Sequence, residues 1–274
     1  MTVLITANQE DSHDYFIDEI IKKNPDINFV IIRQGKRENT VKNFILDVLG
    51  FFNLEHIIKN NISLAIDKRK KFKKYFKIKK DQEIKQIIGS INNPENINLI
   101  KRAKPVGLIV LGGKIICDEI LESISEWSLH LHCGIVPFYR GGTTWYSNFS
   151  FEDYSNCGFT IQELDSGIDT GNIITQHQIK INKGESTWDA YCKCVVAGTA
   201  AINKLIAIKR SDALYAFSSI GIPNAGFNHT GKFLFDKGRL NRARRKMYCT
   251  GNNIKKAEGL HQPELSDFKH EFIF

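Results

Sequence analysis

Two histidines, His130 and His132, stand two residues apart in the run S-L-H-L-H-C-G-I-V-P-F-Y-R-G-G of residues 128–142. Alternate side chains of a β-strand share a face, so both imidazoles project the same way. Gly134, Pro137 and the Gly141-Gly142 pair then turn the chain off that strand into a tight loop. Downstream, residues 159–172 read F-T-I-Q-E-L-D-S-G-I-D-T-G-N, with Asp165 and Asp169 framed by glycines at 158, 167 and 171. Two imidazoles on one face beside a glycine-framed carboxylate loop have the composition of an acid–base site. Each block also has a plainer reading, in which the histidines are satisfied core residues and the Asp-Gly steps are turns.

The elements that must position these groups follow a strand–helix alternation. Val3–Thr6 and Ile27–Ile32 are short β-branched runs, and residues 12–23 between them carry apolar side chains at helical spacing. Strand, helix, strand over about thirty residues begins a parallel sheet. The loop after the first strand, Ala7-Asn8-Gln9-Glu10, has no glycine, which excludes a dinucleotide or Walker-type phosphate loop there. Val106–Leu111 is a continuous apolar strand ended by Gly112-Gly113, and Leu129–Leu131 is the strand that delivers the histidines. Ligands of open parallel sheets bind beyond the carboxyl ends of strands, so these two strand ends predict one crevice. Strands over Gly158–Leu164 and Ile173–Ile181 flank the Asp-Gly loop, and a long helix over Thr187–Ile208 presents Trp188, Tyr191, Val195, Ala200 and Leu205 to the sheet.

The 274 residues divide into a core over 1–209, with a Lys-rich helical insertion around 40–95, and a small C-terminal element over 210–274. Within the insertion, Lys68–Lys80 interleaves lysines with Phe72, Tyr75 and Phe76. Helical spacing turns those aromatics inward and leaves the lysines solvated; the competing reading is single-stranded nucleic acid held by stacking and phosphate attraction. The net charge of +8 favours anionic partners without choosing among them. Six cysteines without C-x-x-C spacing predict reduced thiols and no metal site. The absence of a signal-like start or a bilayer-length apolar run predicts a cytoplasmic protein with no membrane partner.

Taken together, the blocks H-L-H-C-G-I-V-P-F-Y-R-G and G-F-T-I-Q-E-L-D-S-G-I-D-T-G-N-I-I resemble the folate-dependent formyltransferase family. Its signature is N-x-H, a P-x-Y-R-G loop and a strand ending in L-D-x-G or L-D-T-G, and the likeness is best over residues 100–208. The resemblance implies a Rossmann-like α/β fold, a mostly parallel sheet with helices on both faces. It also implies transfer of formyl from N10-formyltetrahydrofolate, as co-substrate, to a primary amine. His132 matches the family's histidine, as general base or oxyanion donor, and Asp169, 37 positions on, matches its charge-partner aspartate. His130 stands where the family has an asparagine that polarises the formyl oxygen. Gly113, Lys114, Ile115 and Ile116 match the folate-lining segment, with Asp165 and Gly167 shaping the folate loop. Tyr139, Arg140, Gly141 and Trp145 are placed to contact the acceptor.

The resemblance leaves the acceptor to elimination. Ala7–Glu10 lacks the glycine-bearing phosphate loop of the purine-pathway members. The stretch after Lys209 is short for the C-terminal barrel of methionyl-tRNA formyltransferases, and residues 1–34 match the core rather than a preceding regulatory domain. A nucleotide-linked amino-deoxysugar is the acceptor this leaves, with a homodimer as a possible assembly. The alternatives are a tRNA-directed enzyme or a folate-binding protein with a degenerate site.

Overall fold

The computed structural model describes residues 1–35, 54–77, 86–142, 144–151 and 153–210. Residues 40–53 and 78–85 of the expected insertion, the basic cluster Arg239–Lys246 and residues 211–274 of the C-terminal element lie outside the described residues. Seven strands form one sheet: β1 (Thr2–Asn8), β2 (Asn28–Gln34), β3 (Gln86–Ile88), β4 (Gly107–Leu111), β5 (Trp127–His132), β6 (Gly158–Gln162) and β7 (Ile173–Gln178). Their order is β3-β2-β1-β4-β5-β6-β7; the first five run parallel, and β6 and β7 are antiparallel to their neighbours. The order reverses between β1 and β4, which opens a crevice at their carboxyl ends.

Helices lie on both faces: α1 (Asp11–Lys23), α2 (Leu54–Tyr75), α3 (Pro94–Ala103), α4 (Asp118–Leu121), α5 (Thr144–Phe151) and α6 (Thr187–Arg210). Helix α1 shows why the local sequence suffices. Phe16, Ile17 and Ile20 form its buried stripe, while Asp11 and Asp14 in the first turn and Lys22 and Lys23 in the last complement its dipole. One apolar cluster joins Val3, Ile5, Ile31, Leu129, Leu131 and Ile161 of the sheet to α1 and α6. The other joins Leu4, Ile32, Leu108 and Val110 to Ile100 of α3 and Ile120 of α4. Among the described residues, that second cluster contains no β5 residue. His130 and His132 belong to the face of β5 on that side, because Leu129 and Leu131 point to the other.

The stretch expected as an insertion supplies core in its described part. Phe72 and Phe76 are buried, and Phe72 meets Trp188 edge-on at 5.7 Å and stacks on Tyr191 at 5.8 Å. Residues 86–88 of the same stretch add the edge strand β3. Helix α6 is, among the described residues, long and apolar enough to cross a membrane, but it packs on β5, β6 and α1 as a core helix. Ala200, expected on its inward stripe, is exposed instead.

Candidate active site

The carboxylate of Asp169 is the centre of the site. Parallel-sheet register puts His130 beside Val110, and the antiparallel register of β6 puts Gln162 opposite His130 and Thr160 opposite His132. The chain then leaves β6, is pinned by Leu164 N–H to Ser128 Oγ at 2.9 Å, and returns at Asn172, whose carbonyl accepts Glu163 N–H at 2.9 Å. Asp169 stands on this loop with φ of 52°, a left-handed conformation that aspartate tolerates better than most residues.

Four donors or ring nitrogens converge on that carboxylate. Oδ2 accepts Gly141 N–H at 2.6 Å and lies 3.3 Å from His132 Nδ1. Oδ1 accepts the Gln162 amide at 3.2 Å and lies 3.3 Å from His130 Nδ1. Gly141 reaches its position with φ of 85°, a conformation that favours glycine. The two imidazoles are 6.0 Å apart, centre to centre, and flank the same carboxylate from one face of β5.

The histidines differ in what remains available. His132 Nε2 lies 2.7 Å from the backbone carbonyl of Tyr139, which can only accept, so Nε2 carries hydrogen and donates. Nδ1 faces Asp169 Oδ2, an acceptor as well, so both ring nitrogens of His132 are placed to donate and are committed to the protein, and its side chain is 6% exposed. Of the two nitrogens of His132, expected as general base or oxyanion donor, Nε2 faces this backbone carbonyl and Nδ1 faces the Asp169 carboxylate. Gly134 makes that bond possible, since a Cβ there would fall 2.6 Å from His132 Nε2 and 2.9 Å from the Tyr139 carbonyl oxygen. His130 is 17% exposed, and burial pushes its pKa down to about 4, with Asp169 opposing the fall and His132 adding to it. It is neutral at pH 7.

Gln162 carries no signal in the sequence pattern. It is 1% exposed, its amide nitrogen lies 3.2 Å from Asp169 and 3.5 Å from His130 Nδ1, and its buried Oε1 has no hydrogen-bond partner among the described residues. An orphaned buried acceptor costs about 1–3 kcal/mol. Only the antiparallel register, which strand alternation in one segment does not reveal, brings this residue to the histidines.

Several residues expected to touch ligands are turned inward. Tyr139 is 3% exposed and donates its hydroxyl to Asp153 at 2.6 Å; burial and that carboxylate raise its pKa. Arg140 is buried. Trp145 packs in an aromatic cluster with Tyr191 at 4.4 Å and Trp188 at 6.3 Å. Ile116 is a core residue under α4. By contrast Gly113, Lys114 and Ile115 are exposed at the end of β4, in a turn that Gln34 holds by accepting Lys114 N–H at 3.1 Å. Asp165 shapes the Asp-Gly loop by accepting Gly167 N–H at 3.0 Å and the Thr170 hydroxyl at 2.6 Å. A separate cleft of about 270 Å³, lined by Gln9, Glu10, Asp14, Arg33 and Gln86, opens at the ends of β1–β3, away from the histidines.

The sequence of residues 60–204, just over half of the chain, matches the family model described as formyl transferase. The chain belongs to the formyl transferase family. Curated relatives of this family include the methionyl-tRNA formyltransferase of Syntrophomonas wolfei, 37% identical over 102 residues, 35% of this chain and 32% of that protein. That of Neisseria meningitidis serogroup C is 21% identical over 150 residues, 54% of this chain and 48% of that protein. The matches thus span a third to a half of those relatives' length. Among solved structures, a sugar N-formyltransferase from a Shewanella species superposes with a TM-score of 0.50 at 14% identity, over 76% of this chain and 69% of that one. Glycinamide ribonucleotide transformylase 1 from Symbiobacterium toebii gives 0.51 at 10% identity, over 77% and 88%. At these identities the likeness establishes a shared α/β fold.

Proposed function

We propose that this chain is an N-formyltransferase that moves formyl from N10-formyltetrahydrofolate to the primary amine of a nucleotide-linked amino-deoxysugar. The observation that carries the reading is the carboxylate of Asp169 held between two histidines at the carboxyl end of β5, in a chain of the formyl transferase family. Formyl transfer to an amine passes through a tetrahedral adduct and must move one proton from the amine to N10 of the folate. A buried carboxylate–imidazole cluster suits that proton movement. The exposed turn Gly113-Lys114-Ile115, with Ile115 57% exposed, offers backbone polar groups and apolar surface to the folate ring beside the crevice.

The sugar acceptor draws support over tRNA from two lysines of the basic run, Lys68 and Lys71, which are engaged within the protein, while Arg69, Lys70, Lys73, Lys74 and Lys77 are exposed. Lys68 pairs with Glu10 at 3.2 Å and lies 5.0 Å over the rings of Phe72 and Trp188, and Lys71 pairs with the buried Asp189 at 2.6 Å. These lysines stabilise the docking of α2 and are poorly disposed to bind phosphates. The tRNA reading retains the support of the methionyl-tRNA formyltransferase relatives. Incubation of the full chain with N10-formyltetrahydrofolate and 3-amino- and 4-amino-deoxysugar nucleotides, read by mass, should give one added formyl. Transfer instead to charged initiator tRNA, with a rate falling steeply as salt rises, would replace the sugar reading.

A further inference from the structure

We infer that His130, rather than His132, is the proton acceptor of the site, and that Asp169 and Gln162 together fix the tautomer that leaves its Nε2 unprotonated. The inference rests on the formyl-transfer reading for its chemistry and on hydrogen-bond geometry for its assignment. A neutral imidazole has one N–H. His130 Nδ1 lies 3.3 Å from Asp169 Oδ1, and without a proton between them two lone-pair atoms would face each other in a site of low polarity. The alternative donor to Nδ1 is the Gln162 amide at 3.5 Å, but that amide already serves Asp169 at the shorter distance of 3.2 Å. Nδ1 therefore carries the hydrogen and donates to Asp169, a charge-assisted bond. Nε2, on the opposite edge of the ring, keeps its lone pair, and His130 is the more exposed of the two histidines at 17% against 6%.

The same logic explains the orphaned Oε1 of Gln162. Flipping the amide would set Oε1 against Asp169 Oδ1, acceptor to acceptor. Gln162 thus tolerates an unpartnered oxygen in order to donate to the carboxylate that orients His130. It is a positioning residue. Among the described residues, the ionisable groups that face His130 are Asp169, from the loop between β6 and β7, and His132, from its own strand.

In the reaction the acceptor nitrogen forms its bond to the formyl carbon, and the carbonyl oxygen takes up the displaced electron pair. The amine proton passes to His130 Nε2. On collapse the carbon–N10 bond breaks, and the proton goes from Nε2 to N10, giving formamide and tetrahydrofolate. His132, with both nitrogens engaged, holds Asp169 and the 134–141 loop in place.

Long-range proton–nitrogen spectra of the ¹⁵N-histidine-labelled full chain at pH 7.5 should show His130 protonated at Nδ1 with a bare Nε2. A proton on Nε2 would overturn the assignment. Kinetics with the fastest acceptor of the aminosugar panel supply the second test, with fluorescence recorded alongside to separate unfolding. Wild-type kcat/KM, corrected for protonation of the acceptor amine, should be flat through neutrality with an acid limb near pH 4. Gln162→Glu places a second carboxylate beside the ring, so its limb should move up by at least one pH unit while the high-pH plateau survives. His130→Asn should lower the plateau by about 10²–10⁴-fold and abolish the limb. A wild-type plateau in His130→Asn, or a limb unmoved in Gln162→Glu, would remove the role. If no acceptor in the panel is formylated, the functional reading falls, and the spectra of the free protein still decide the tautomer.

Discussion

The division of work between two histidines depends on a backbone carbonyl. His132 is held by Tyr139 O at 2.7 Å and by Asp169, and it fits only because residue 134 has no side chain. Gly134→Ala would put a methyl group 2.6 Å from Nε2, so the imidazole or the loop must move. The expected outcome is a loss of about 1–3 kcal/mol in denaturant unfolding, with a fall in kcat larger than any change in KM. The family resemblance assigns His132 the role of base or oxyanion donor, and strand spacing reports which way its ring points and nothing of which carbonyl lies against it. Gln162 was equally hidden, being a neutral amide in a strand pattern until β6 reverses direction beside β5.

At the scale of elements, strands with continuous apolar runs were the readable ones. β1, β2 and β4 fall within two residues of where β-branched runs and their bounding polar or glycine residues place them. β3 was missed because three residues, Q-I-I, carry no periodicity, and α5 because T-W-Y-S-N-F-S-F contains no strong helix former. Its helix is held by tertiary contact, with Trp145 and Tyr146 against Trp188 and Tyr191 of α6. Helix α2 is docked in the same way, through Phe72 and Phe76 rather than through its lysines. Phe72→Ala should therefore cost about 3–5 kcal/mol in denaturant unfolding. Lys71→Gln should cost more than a surface charge change would, because it strands the buried Asp189.

For the molecule as a whole, acid is the vulnerable direction. His13 accepts the Asn8 N–H on Nδ1 at 2.8 Å, and burial, Arg33 and Lys68 lower its pKa to about 3, while His130 is lowered to about 4. Both folded-state values lie below the unfolded value of 6.5, so the unfolded chain binds more protons as pH falls through that window. Stability is fully present above pH 6.5 and declines towards pH 3–4. His13 alone accounts for about 3 kcal/mol by pH 4. Urea midpoints measured from pH 7 to pH 4 should fall accordingly, and His13→Gln should flatten the slope. A pH-independent midpoint would contradict the burial of these rings.

The antiparallel end of the sheet has a kinetic consequence. Among the described residues, the groups that meet Asp169 belong to residues 130–162, on β5, its loop and β6, with β7 as the outer strand of the sheet. Among the described residues, the parallel strands β3, β2, β1 and β4 contribute nothing to that carboxylate. Detachment of β6 and β7 would therefore dissolve the proton-handling cluster while the parallel half stays folded, a local opening that costs less than global unfolding. Native-state hydrogen exchange should find the amides of Thr160–Gln162 and of Gly141 exchanging together, ahead of those in β1 and β4. Inactivation by mild denaturant should then precede the loss of helical signal.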